Sequence, residues 1–187
     1  MRTPSLGVAV GTALFLTAGL ARAQAPAAAS KPAPELDQLA FFTGDWQCTG
    51  QAPASELGPA RVTRTGITFT RELGGFAYGF KLAEVKTKEN PSPALGMGFI
   101  TFDAADKKLM SLATDNFGGP YVQASKGWEA DKMVLDGPGT IMGQKIQAKD
   151  TFSKTSPTAF AHVYELKMGG KWVTVVDEKC QKGAAKK

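Results

Sequence analysis

From Asp45 to Cys180 the chain alternates apolar and polar residues with a period of two, and clusters of Gly, Pro, Asn and Asp interrupt the pattern at short intervals. Side chains of a strand alternate between its two faces, so this pattern describes half-buried β-strands. The segments read as strands are Asp45 to Gln51, Arg61 to Leu73, Phe76 to Thr87, Leu95 to Phe102, Lys108 to Thr114, Tyr121 to Trp128, a short Lys132 to Leu135, Gln144 to Phe152, Thr158 to Met168 and Lys171 to Cys180. Gly74-Gly75, Asp103 to Lys107, Asn116 to Pro120, Asp136-Gly137-Pro138-Gly139, Ser156-Pro157 and Gly169-Gly170 supply the turns. No segment between them is long enough to form a crossover helix, so the strands must be antiparallel.

About ten such strands leave a choice between a sandwich and a closed barrel. Glycines within the strands suit the curvature of a small barrel. Cys48 and Cys180 lie near the two ends of the folded region. Paired as a disulfide, they bring the first strand beside the last and remove the sheet edges; two free buried thiols are the alternative. With one histidine besides, they offer no close metal-ligand spacing, and no metal site is expected. One short helix is predicted over Pro34 to Phe42, with Leu36, Leu39 and Ala40 on one face, acids in its first turn and Gly44 as its stop signal.

The N-terminus reads as an export signal. Met1-Arg2 is positive, Leu6 to Ala21 is apolar, and Ala21-Arg22-Ala23 offers a small-residue cleavage site. The apolar run is shorter than a membrane span and broken by Gly7, Gly11 and Gly19, so no stable anchor is expected after cleavage. The organisation expected is a signal peptide over 1–23, a disordered Ala/Pro-rich linker over 24–34, a barrel domain over 35–182 and a flexible basic tail over 183–187. Location is then periplasmic or secreted, where a disulfide persists.

The chain carries 22 Lys and Arg against 17 Asp and Glu. The basic residues are scattered among acids rather than gathered into a stripe with interleaved aromatics, which argues against a nucleic-acid partner. A Ser-His or Cys-His catalytic site would have to use His162, the single histidine, and no Gly-x-Ser-x-Gly elbow is present. The sequence shows no catalytic signature, and the oligomeric state is not readable from it.

Leu36-x-x-Leu39 running into Phe42-x-Gly44-x-Trp46 resembles the opening of calycin barrels, a short helix plugging the barrel before the first strand. Glu72-Leu73-Gly74-Gly75-Phe76, Gly98-Phe99-Ile100-Thr101-Phe102-Asp103 and Gly170-Lys171-Trp172, in that order, resemble the bacterial domain-of-unknown-function family 1579. The resemblance covers nearly all of Pro34 to Lys182. It implies an all-β, calycin-like barrel of about ten antiparallel strands with a short N-terminal helix, and it names no reaction.

Several polar residues fall on apolar parities. Arg71 lies between Phe69 and Leu73, Asp150 between Ala148 and Phe152, His162 and Tyr164 between Phe160 and Leu166, and Glu84 follows Leu82. Charges pointing into a core are costly unless paired. Arg71 and Asp150 either pair inside, line a hydrated pocket, or are turned outward by a β-bulge. A ligand site would use Arg71, Asp150, His162 and Tyr164 as its polar lining and Tyr78 and Phe80 as apolar wall, with Arg71 or His162 orienting an acidic head group. Three functions follow: a non-catalytic binder of a small apolar or amphipathic molecule, a filled barrel acting through its surface in the envelope, or a haem-dependent or acid–base enzyme built on His162, Asp150 and Arg71. Nitrobindin-type calycins hold haem through a histidine on a late strand. The rest of their C-terminal pattern is missing here, so no cofactor is expected.

Overall fold

The computed structural model describes residues 31–183. The expected signal peptide, most of the expected linker and residues 184–187 of the expected tail lie outside them. Eleven strands run in chain order: β1 (Gly44–Ala52), β2 (Arg61–Glu72), β3 (Ala77–Glu84), β4 (Leu95–Asp103), β5 (Lys108–Asp115), β6 (Pro120–Ser125), β7 (Trp128–Glu129), β8 (Lys132–Ile141), β9 (Gln144–Ser156), β10 (Ala159–Met168) and β11 (Lys171–Lys182). Every ladder is antiparallel. β1 lies between β2 and β11, and β6 pairs with β8, so ten strands close into a barrel; two-residue β7 sits at the end of β8.

The first and last strands are joined over a continuous ladder, Trp46 to Gln51 against Lys182 to Asp177. Cys48 and Cys180 face each other in the β1–β11 ladder and form a disulfide inside the barrel. The thin seam is elsewhere: β6 and β8 share two register pairs, Tyr121 with Gly139 and Ala124 with Asp136. Here the structure corrects the expected turn at Asp136 to Gly139. Those residues continue β8 to Ile141, and the chain reverses at Met142-Gly143. Gly137 and Gly139 serve close approach rather than turning, because a Cβ at Gly137 would overlap the Val122 carbonyl oxygen and one at Gly139 the Tyr121 ring. Pro138 is tolerated because this is the most sparsely paired edge of the sheet. The expected single strand from Tyr121 to Trp128 also breaks, at Lys126-Gly127, into β6 and β7. Leu73 leaves the inward row of β2 and sits exposed in the one-turn helix Leu73–Gly75.

The helix over Pro34–Phe42 is a 3-10 helix. With three residues per turn, positions three apart stand in line. Leu36, Leu39 and Phe42 therefore form one buried row, whereas Ala40, which an α-helix would have turned inward, is exposed. That row closes one barrel end together with Trp46, Phe69, Phe152 and Phe160. Phe42 stacks on Phe69 at 5.0 Å, and Trp46 meets Phe160 edge-on at 4.7 Å. Burying each such side chain contributes about 1.5–3 kcal/mol. Polar ties fasten the plug. Trp128 donates its indole N–H to the Gln38 carbonyl at 3.1 Å and its backbone N–H to Gln38 Oε1 at 3.0 Å, while Arg71 pairs with Asp37 at 3.0 Å.

Candidate functional site

The aromatic plug fills one end of the barrel, and between it and the opposite mouth lies a cavity of about 320 Å³. Its wall is mainly apolar, with Ile67, Phe69, Phe80, Leu82, Ile100 and Leu135 among the lining residues. Leu57, Ala94, Phe117 and Met142, from loops at the mouth, complete the rim. A closed barrel points every second residue of each strand inward, so the polar groups inside are those that break the apolar alternation.

Three strands build the polar cluster. His162 on β10 stands opposite Glu178 on β11 and opposite Phe152 on β9; Asp150 is one inward position further along β9. Cross-strand and diagonal neighbours lie within side-chain reach. The imidazole is held on both sides, with Nε2 2.8 Å from Asp150 Oδ1 and Nδ1 3.0 Å from Glu178 Oε1. Its ring stacks on Phe152, with centroids 4.7 Å apart. Gln123 on β6 donates its side-chain amide to Asp150 Oδ2 at 2.7 Å. Burial disfavours the charged imidazole, but the hydrogen bonds and negative charges of Asp150 and Glu178 prevail and hold its pKa up at about 9. His162 is thus an imidazolium at neutral pH, bracketed by two acids.

Nearer the mouth, the Tyr121 hydroxyl donates to Asp115 Oδ2 at 2.6 Å. Burial and the Asp115 carboxylate push the Tyr121 phenol above its ordinary range; burial and the charge of Asp150 do the same to Tyr164. Both remain phenols, able to donate a hydrogen bond. Across the cavity Arg61 forms a two-pronged ion pair with Glu84, which also accepts the Ala94 backbone N–H at 3.1 Å.

Of the residues nominated from sequence, Phe80, Asp150, His162 and Tyr164 line this cavity together. Arg71 and Tyr78 do not. Arg71 keeps the inward parity of β2 but lies beyond the plug, where its exposed guanidinium reaches Asp37 on the helix. Tyr78 is fully buried among the plug residues, with Arg71 over its ring at 5.7 Å. No Arg71–Asp150 pair forms; the partners of Asp150 are His162 and Gln123.

Sequence reasoning missed Glu178, Gln123, Arg61, Asp115 and Tyr121. Glu178 had a usable signal: it stands two positions before Cys180, and a cysteine facing the interior places Glu178 inside as well. Gln123 had none, because β6 turns Val122 to solvent and Gln123 to the interior, the reverse of what their polarity suggests.

The chain matches no family model and no curated protein sequence. Among solved structures it is similar to Rv2717c from M. tuberculosis, at 9% identity and a TM-score of 0.63, over 82% of this chain and 100% of that one. It also aligns with a redesigned β-barrel at 17% identity and a TM-score of 0.42, over 79% of this chain and 96% of the other. EF1p2_mFAP2b bound to DFHBI aligns at 14% identity and a TM-score of 0.45, over 80% and 99%. The first likeness shows the fold: a closed, calycin-like β-barrel.

Proposed function

We propose that this protein is an exported, non-catalytic carrier that holds one small apolar or amphipathic molecule inside its barrel. The observation that carries this reading is the cavity of about 320 Å³, apolar along its wall, with a few polar groups converging on Asp150, His162, Glu178 and Tyr164. Apolar area supplies affinity in such a site, and sparse polar groups supply orientation. A filled barrel acting through its surface would have no use for that space. Export belongs to the same reading. The disulfide is at home in an oxidising compartment, and among the described residues no helix is long and apolar enough to cross a membrane. The Glu72 to Phe76, Gly98 to Asp103 and Gly170 to Trp172 marks support kinship with family 1579.

Haem ligation or acid–base chemistry through His162 is less favoured. Either needs a free ring nitrogen, and both nitrogens of His162 are held by carboxylates.

Native mass spectrometry of protein purified from its own envelope tests the carrier reading. A retained small molecule, one per chain, is the expected result. Protein that emerges empty and then takes up no octanol on titration overturns it.

A further inference from the structure

The cavity is unbalanced in charge. Four carboxylates line it, those of Glu84, Asp115, Asp150 and Glu178, against two cations, Arg61 and His162. Arg61 and Glu84 neutralise each other. His162 is shared between Asp150 and Glu178, so one cation serves two acids, and among the described residues Asp115 forms no ion pair, its side-chain contacts being the Tyr121 hydroxyl and the N–H groups of Phe117 and Gly119. The excess is two negative charges in a mostly apolar enclosure, where an uncompensated charge is costly.

A second observation marks the place where compensation is missing. Three buried side-chain atoms have no hydrogen-bond partner among the described residues: Thr63 Oγ1, Asn90 Nδ2 and Glu178 Oε2. Of these residues Glu178 alone lines the cavity. Its side chain is 3% exposed, its Oε1 is taken by His162, and its Oε2 is left as an acceptor without a donor. A carboxylate has room for several donors, and an ammonium brings three.

We infer that the cavity selects a cationic amphiphile, an apolar chain or ring bearing an ammonium-type head, whose N–H groups share the Asp150 carboxylate beside the uncompensated charge of Glu178. This rests on the reading of the cavity as a ligand site and specifies the ligand's charge. It replaces the acidic head group suggested by the sequence, for which the interior offers no unpaired cation. Burial is the larger cause of the raised Tyr121 and Tyr164 phenols, and the charges of Asp115 and Asp150 that add to it are ones that would attract a cation. Size sets the class further. Taking about 30 Å³ for each small group, the share of a water molecule in the liquid, the cavity accommodates about ten non-hydrogen atoms.

Octylammonium, octanol and octanoate share one chain and differ in head charge, so titrating each into the stripped protein at pH 7 tests the inference. Octylammonium is expected to bind best and octanoate worst, with at least about a tenfold gap between them, since like charges oppose binding and opposite charges favour it. The Glu178→Gln variant should lose most of the preference for octylammonium over octanol, read as the ratio of the two affinities in the variant against the same ratio in the unaltered protein. Equal affinities, or a preference for octanoate, overturn the cationic ligand and leave the carrier reading standing. Failure of all three to bind overturns the carrier reading itself. Should Glu178→Gln not fold, the ranking in the unaltered protein decides alone.

Discussion

His162 and Glu178 are register partners on neighbouring strands, and the buried Glu178 carboxylate holds His162 Nδ1 at 3.0 Å while Asp150 holds Nε2 at 2.8 Å. This arrangement gives the fold a pH dependence of definite sign. The folded protein keeps the His162 proton to a pKa of about 9, whereas an unfolded histidine releases it near its ordinary 6.5. A folded-state pKa above the unfolded one means the native state binds the proton more tightly, so its stabilisation is complete below about pH 6.5 and disappears as pH rises through about 9. At about 1.4 kcal/mol per pH unit of difference, the loss across that window approaches 3 kcal/mol. Urea unfolding at a series of pH values should show stability falling from pH 6.5 to 9. His162→Gln should flatten the profile there, and an unchanged slope in that variant would assign the dependence to another group.

The disulfide joins strands 132 residues apart in sequence that are already partnered in the sheet. Its contribution should therefore come chiefly from restricting the unfolded chain, about 2–5 kcal/mol for a native bridge of this kind. Replacing Cys48 and Cys180 together by Ala should lower the melting temperature yet keep the β-sheet circular dichroism. The unaltered protein should show no thiol reactive to alkylation under non-reducing conditions.

Trp46 is fully buried at the plug, against Phe41, Phe42 and Phe160. Removing its ring leaves a void that the closed barrel end cannot collapse into, so Trp46→Ala should cost about 3–5 kcal/mol. Acrylamide quenching of the unaltered protein, read against Trp172 and Trp128, should find one fully protected indole. Accessible emission from all three would remove Trp46 from the core.

At the seam, adding a methyl group to Gly137 forces β6 and β8 apart, because Val122 backbone atoms occupy its place. With two register pairs holding that seam, Gly137→Ala should destabilise by about 1–3 kcal/mol, the usual cost of overpacking. Hydrogen exchange should quicken first in β6 and β8, while β1 and β11, joined by the disulfide, should keep their protection. Uniform loss of protection would show that the seam is no weaker than the rest.

Much of this architecture was legible because side-chain alternation and turn chemistry were consistent along most strands. Ile67 and Phe69, Ala148 and Phe152, and the Cys48–Cys180 pair all follow the inward period. The reading failed where one residue serves two geometries. Asp136 to Gly139 has the composition of a turn, yet its glycines answer to a neighbouring backbone, which local sequence does not reveal. Ala40 was assigned inward because a helix was given 3.6 residues per turn, and this one has three. The site was half legible for a related reason. Asp150, His162 and Tyr164 stood out as polar residues in apolar rows, but Gln123 stands beside an exposed Val122 and shows no such contrast.

Arg71 separates parity from position most clearly. Its place in the inward row of β2 suggested a buried charge, and a buried Arg71–Asp150 pair would make Arg71→Met cost several kcal/mol by leaving Asp150 unpaired. In the structure the side chains of Arg71 and Asp37 are 43% and 66% exposed, and Asp150 is satisfied by His162 and Gln123. An ion pair so open to water contributes between nothing and about 1 kcal/mol. Arg71→Met should therefore leave both stability and octanol binding within error of the unaltered protein, as judged by urea unfolding and titration. A small loss that high salt abolishes in the unaltered protein would be the Asp37 pair itself. A large, salt-independent loss would place the guanidinium inside the barrel and overturn its assignment as an outer clasp on the plug helix.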